Sequence, residues 1–179
     1  MKRRAFPIVS LSLSRNHQRG FTLIEILVVI LLIGVIVGGG VASYRRLQET
    51  KLIEGAAREA EQGIRKAQKN AEAGVKPQSW CDGSGETLVS YSIEFRGPTY
   101  PKNEYRISAN CSDGGSSLIE TRELPQGAKY QWNRTISFSV LTGKKTTSGD
   151  ERQRVRNATN SIRYEIWITE GGSVSTKKL

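Results

Sequence analysis

The chain has 179 residues, with 27 Lys and Arg against 17 Asp and Glu, a formal net charge of +10 and an isoelectric point near 9.9. At roughly 100–200 residues per domain, that length allows one globular domain with an appendage. Five basic residues, Lys2, Arg3, Arg4, Arg15 and Arg19, fall in the first 20 positions, which hold no acid; residues 21–179 carry 22 basic and 17 acidic side chains. The high isoelectric point is therefore weak evidence for nucleic-acid binding. The only histidine, His17, lies in the same stretch. Past it the chain cannot build a Ser-His or Cys-His nucleophile or the usual imidazole-containing zinc site. No catalytic residue, metal-ligand set or cofactor is expected, and the chain does not read as an enzyme.

Taken in order, the first feature is the basic stretch Arg15-Asn16-His17-Gln18-Arg19, then Gly20-Phe21-Thr22-Leu23-Ile24-Glu25, then an apolar run from Ile26 onward. Between 21 and 42 the only ionisable side chain is Glu25. The run matches the ~20 residues needed to span a bilayer core. Basic residues on its N-terminal side predict a cytoplasmic leader and an outward C-terminal part. An ordinary signal peptide ends in a small-residue cleavage site after its apolar stretch. Here the glycine precedes the stretch, so cleavage at Gly20 would leave the apolar helix on the mature chain. A carboxylate near the end of such a helix costs a few kcal/mol and marks function.

These residues resemble the type IV pilin and type II secretion pseudopilin family, whose hallmark is the G-F-T-L-I-E junction. The resemblance implies cleavage between Gly20 and Phe21 by a prepilin peptidase, which needs Gly20 because a side chain there would obstruct its cleft. It implies N-methylation of the new Phe21 amine and pairing of that amine with Glu25, in the same or a neighbouring subunit. The implied partners are other pilin or pseudopilin subunits, the peptidase, an inner-membrane assembly platform and membrane lipid. The implied location is a single pass in the inner (cytoplasmic) membrane before assembly, with the head outside, and then the pilus or pseudopilus. The leader, at 20 residues, has its own weak apolar patch over 6–13, but no A-x-A-like site follows it.

Beyond Val41 the pattern turns amphipathic. Ile53, Ala56, Ala57, Ala60, Ile64, Ala67 and Ala71 recur at helical spacing, which predicts one helix continuing to about residue 73. Glu54 with Arg58 and Glu61 with Arg65 are i,i+4 pairs in the favourable order on the other face. Gly38-Gly39-Gly40 interrupts the pattern, either for close helix packing or as a weak point. Gly74 and Pro77 supply the stop. The remainder reads as β, with strands expected at 88–95, 105–109, 117–120, 128–132, 135–140 and 162–168, separated by glycine, proline and asparagine clusters. Cys81 and Cys111, thirty positions apart beyond the apolar run, predict one disulfide, which would add on the order of 3–4 kcal/mol by closing that loop.

Phe138 to Gly143, with the terminal Gly172-Ser173-Val174, looks like the minor pilins of the FimT/GspH type, which have an F-x-x-x-x-G hairpin and a closing strand pair joined at a G-x-V. DNA-binding members carry an arginine-rich element at that turn, and this chain has Ser175-Thr176-Lys177-Lys178 there. Arg152, Arg154, Arg156, Lys177 and Lys178 are candidate DNA contacts, the arginines sharing a face if their stretch were extended. A solvated loop face is the preferred reading for them, as core or sheet-face packing is for Trp80, Trp132 and Trp167. Gly143-Lys144-Lys145-Thr146 lacks the first glycine of a phosphate loop, and the sequons at Asn110, Asn133 and Asn157 matter only with matching glycosylation machinery.

The expected fold is α+β: a long N-terminal helix, membrane-spanning in its first half, packed on a C-terminal antiparallel β-sheet head. The expected segments are a cleaved leader (1–20), the helix (21–74, transmembrane over about 21–42) and a periplasmic or extracellular head (75–179). The expected function is structural, as a minor subunit of a type IV pilus or type II secretion pseudopilus. A DNA-binding minor pilin for uptake and a pilus adhesin are the alternatives, and DNA is not the favoured partner.

Overall fold

The structure, a computed structural model, describes residues 21–77, 81 and 86–179, with the backbone alone at 38–40 and 42. Gly20, the rest of the leader and Trp80 lie outside the described residues. The chain divides into two compact units, one ending at Ser43 and the other running Tyr44–Leu179.

One helix, α1 (Leu23–Glu72), takes in both the apolar and the amphipathic runs. Its backbone passes through Gly38-Gly39-Gly40 without a break. Each glycine costs about 1 kcal/mol relative to alanine, yet propagation from formed turns on both sides carries the helix across. In the first unit the described apolar side chains run from Leu23 to Val37, about 21 Å of helix at ~1.5 Å per residue against a ~30 Å bilayer core. Among the described residues, no helix is long and apolar enough to cross a membrane.

In the second unit, α1 packs on an antiparallel β head. The expected stripe is buried in full: Ile53, Ala57, Ala60, Ile64, Ala67 and Ala71 are at 0% exposure and Ala56 at 3%. The helix stops as its sequence requires. Gly74 takes a φ of +59°, its N–H donates to the Ala71 carbonyl at 3.1 Å, and Val75 N–H donates to Asn70 at 3.3 Å. Leu141 N–H, from a distant turn, also donates to Ala71 at 2.9 Å.

The head is antiparallel β, as expected, and it is divided between two sheets. Eight strands form two four-stranded antiparallel sheets: β1 (Leu88–Arg96), β2 (Glu104–Cys111), β3 (Ser116–Glu123), β4 (Ala128–Tyr130), β5 (Arg134–Ser139), β6 (Glu151–Asn157), β7 (Arg163–Ile168) and β8 (Val174–Lys178). The first sheet has the order β3-β2-β1-β5 and the second β4-β6-β7-β8. The division falls after β3, where Pro125 has no N–H for a ladder and Gly127 has a φ of +94°. The chain then opens the second sheet with β4 and returns to the first with β5. The sheets share one core with the helix stripe, containing Tyr91, Ile93 and Phe95 of β1, Ile136 and Phe138 of β5, Val155 of β6 and Ile166 and Ile168 of β7.

Polar contacts tie the helix to both sheets. Arg65 donates to the Val174 carbonyl at 2.7 Å, and the Thr176 hydroxyl donates to Glu61 at 2.6 Å, both on β8. Lys66 Nζ donates to Glu120 of β3 at 2.5 Å, and Arg122 bonds the same carboxylate at 2.7 Å. Lys66 and Arg122 hold the Glu120 carboxyl below its ordinary value of 4.5. A carboxyl whose pKa falls on folding stabilises the fold fully above its unfolded value and loses that contribution as pH drops through the lowered one. The melting temperature should therefore fall as pH drops below about 4.5, and Glu120→Gln should flatten that acid limb; thermal melts across pH measure both.

Gly63 sets the distance between helix and first sheet. A Cβ there would lie 2.8 Å from the Tyr105 ring and 3.2 Å from Ile93, and both of those side chains are buried. Overpacking of this kind typically costs 1–3 kcal/mol, more than the ~1 kcal/mol that alanine gains in helix propensity. Gly55, with nothing within 4 Å of such a Cβ, is the control. Gly63→Ala should destabilise the head by about 1 kcal/mol and Gly55→Ala should stabilise it by up to about 1 kcal/mol, read by denaturant unfolding followed through tryptophan fluorescence.

Candidate functional site

Thr22 is the N-cap of α1. Its Oγ1 accepts the Glu25 backbone N–H at 3.3 Å, and its carbonyl accepts from Glu25 at 3.1 Å and Ile26 at 3.3 Å. Thr22-Leu23-Ile24-Glu25 is thus a threonine at the cap with a glutamate three residues on, the pattern of a capping box. Sequence reading assigned Glu25 to assembly and passed over this T-x-x-E signal. A carboxylate in the first turn also offsets the positive end of the helix dipole.

Around that carboxylate the surface is apolar. Phe21 is 77% exposed, Leu23 83% and Ile24 70%, and large apolar side chains stay exposed through Val37. A contiguous apolar surface of this extent marks a protein or membrane contact. The arrangement is a capped helix start, one acid, and a greasy helix on its C-terminal side.

Residues 15–41 match the family model of the prokaryotic N-terminal methylation motif. The chain carries the type IV prepilin/pseudopilin signature. The motif indicates a structural subunit rather than an enzyme. It implies a membrane-anchored precursor that goes on to a pilus, with a prepilin peptidase and other pilins as general partners. No curated protein and no solved structure matches the chain.

The two cysteines are joined, Cys81 to Cys111, with Cα atoms 5.6 Å apart, within the usual span of a disulfide. The bridge ties residue 81 to the end of β2.

The remaining candidate residues lie on the second sheet, and the expected loop at 151–157 is instead strand β6. Its inward residues Gln153, Val155 and Asn157 are all at 0% exposure. Gln153 donates to the Trp132 carbonyl at 2.9 Å; Asn157 Nδ2 donates to Glu49 at 2.7 Å and its Oδ1 accepts from Ile162 N–H at 3.1 Å. Buried and fully engaged, Asn157 cannot serve as a sequon acceptor in the folded head. Arg152, Arg154 and Arg156 share the outward face. In register, Lys177 lies opposite Glu165 and Lys178 opposite Tyr164, so Lys177 joins that face and Lys178 the helix side. Trp167 is half-buried on β7, and Trp132 is half-buried in the bend between β4 and β5. Lys145 is fully buried, donating to the Gly149 carbonyl and lying 3.6 Å from Glu151.

Arg154 and Arg152 have different duties. Arg154 Nε bonds Glu165 at 2.7 Å, and the Glu165 side chain is only 4% exposed; Trp167 Nε1 donates to its other oxygen at 2.8 Å. Arg152 lies over the Trp167 ring at 4.3 Å and forms no ion pair among the described residues. Arg154→Met should destabilise the head by about 2–3 kcal/mol, since it strands a buried carboxylate, whereas Arg152→Met should cost under about 1 kcal/mol. Equal losses in chemical denaturation would show that Glu165 does not depend on Arg154.

Proposed function

We propose that the chain is a minor structural subunit of a type IV pilus or type II secretion pseudopilus. It is made with the leader 1–20, cut between Gly20 and Phe21, and methylated on Phe21. Before assembly it spans the inner (cytoplasmic) membrane once through residues 21–42, with residues 75–179 outside. The assembly platform then moves the helix from lipid into the filament.

The observation that carries this reading is the apolar, exposed first half of α1 with Glu25 as its one acid, directly after the junction. Cleavage would create an α-amine at Phe21, one residue ahead of the Thr22 cap. A cation there meets the positive end of the helix dipole, which disfavours it. In apolar surroundings an unpaired charge costs several kcal/mol, so the amine and the Glu25 carboxylate each need a partner. Pairing within a chain would neutralise both; pairing between chains would also fix the axial register of one subunit on the next.

The minor-pilin reading draws support from two motif glycines, both at the C-terminal end of α1. Gly143 has a φ of +59°, and a Cβ on it would fall 2.2 Å from Glu72; Gly172 has a φ of +84°, and its Cβ would fall 2.8 Å from Gln68. The hairpin glycine and the closing-strand glycine therefore let both turns close on the helix end.

Mass spectrometry of membrane and sheared filament material should find a mature N-terminus at Phe21 carrying one methyl group. Gly20→Phe should accumulate as uncleaved precursor. Glu25→Leu should be cleaved and retained in the membrane, yet be depleted at least tenfold from sheared filaments relative to the unmodified subunit. A mature chain starting at Met1 or beyond residue 42 would refute the prepilin reading, and normal incorporation of the leucine variant would reject the pairing role.

A further inference from the structure

Most arginines of the second unit are already paired. Seven of them, from position 58 onward, each lie within 3.8 Å of a glutamate. Among the described residues, Arg45, Arg46, Arg152, Arg156 and Arg163 make no ion pair. Four of these five, all but Arg152, gather at the end of the head where α1 enters it.

The helix supplies the first two. Tyr44, Arg45 and Arg46 open the second unit, and all three are exposed, Tyr44 by 61%. In sequence they come directly after the apolar run, with only Ser43 between it and Tyr44.

One buried amide brings the second sheet to the same end. Asn157 Nδ2 donates to Glu49 of α1 at 2.7 Å and lies 2.8 Å from Thr159 Oγ1 and 2.9 Å from Ser161 Oγ. The turn between β6 and β7 is thereby pinned to the helix one residue past Arg156. Arg163 stands opposite Arg156 in register, and its carbonyl accepts the Leu179 N–H at 3.0 Å. Lys178 stands opposite Tyr164, so it adds a cation to that end. Glu49 is about 7.5 Å along the helix from Tyr44 at ~1.5 Å per residue, within the Debye length of about 8 Å at physiological salt.

The acids here are engaged. Glu49 accepts from Asn157, and Glu54 is held by Lys51 at 3.1 Å and by Arg58 at 2.8 Å. Between the cations the turn exposes only Ala158, Thr159, Asn160 and Ser161, which are small or uncharged and let a broad surface come close. A tyrosine beside a membrane span places its ring at headgroup level. A guanidinium offers several donors in a fork that matches a phosphate. These side chains suit a broad anionic surface that begins where the apolar run ends.

We propose that this end of the head docks on anionic phospholipid headgroups, holding the unassembled subunit against the bilayer. The proposal rests on the membrane-spanning reading above and adds to it a specific contact between head and lipid.

The test uses the full chain in nanodiscs of phosphatidylcholine, with or without about 30% phosphatidylglycerol to supply surface charge. Arginines are labelled with phenylglyoxal, and the rate at each is read by peptide mass spectrometry. Labelling of Arg46 and Arg163 should slow at least about threefold in the anionic discs and recover at about 500 mM salt, where the field is screened. Arg122, on β3 and paired with Glu120, should change little. The variant Arg45→Gln, Arg46→Gln alters exposed helix positions and should remove most of the protection of Arg163, with near-UV circular dichroism confirming the fold. Equal labelling in both discs would overturn the proposal. So would protection spread equally to Arg122, or full protection of Arg163 in the double variant. Protection reproduced in neutral discs by dissolved inorganic phosphate would mean a free-anion site and would also overturn it. Carbonate washing of the chain in vesicles separates the two readings. Release would sink the membrane-spanning reading and this proposal together, whereas a resistant chain without charge-dependent protection would sink the proposal alone.

Discussion

Between Leu23 and Val37 every described side chain except Glu25 and Gly34 is a large apolar one, and each of them is exposed. Apolar area left in water forfeits about 25 cal/mol per Å² that burial would recover, and the described residues of the chain do not cover this surface. A soluble monomer would carry it as a large contiguous patch, which folded proteins rarely do. The surface has to be covered by lipid or by equivalent helices from other subunits, and the methylation motif at 15–41 fits a chain that uses both in turn. Glu25 gains its meaning from this surround: the same acid on a wet surface would be an ordinary capping residue.

The second half of the same helix meets a different demand. Five of the seven stripe residues are alanines, so the backbone lies close to the sheets, and Gly63 brings it closer still where Tyr105 must fit. Short side chains bury little area each. The helix is therefore also held by contacts that do not depend on area: Arg65 and Glu61 to β8, Lys66 to β3, and the Leu141 N–H on the Ala71 carbonyl. Gly143 and Gly172 complete this by letting two turns approach Glu72 and Gln68. The part of α1 in the head is embedded on one side, while the first half has apolar groups on all sides.

Much of this was legible in the residues. The stripe from Ile53 to Ala71 is buried throughout, Gly74 ends the helix, and six expected strands match β1–β5 and β7 to within a few residues. Strand β6 escaped because its inward positions are Gln153, Val155 and Asn157. An alternation of buried and exposed residues is invisible to hydropathy when the buried ones are polar and satisfied by hydrogen bonds. The split into two sheets escaped because strand order depends on which earlier edge β5 finds, and periodicity carries no information about that. The threonine cap at Thr22 was written in plain sequence as T-x-x-E.

One strand shows how a single stretch of chain can serve two ends. On β6 the odd positions Gln153, Val155 and Asn157 close the core, and Asn157 reaches Glu49 on the helix. The even positions Arg152, Arg154 and Arg156 face away, two of them resting on indoles. Because side chains alternate strictly across a strand, substitutions on one side need not disturb the other, with Arg154 excepted through its hold on Glu165. Within the head, then, the surface that seats the helix and the surface that presents charge are opposite sides of one sheet. A ligand on the charged side would not compete with the helix for the residues it packs against, which separates what the subunit is built from and what it can touch.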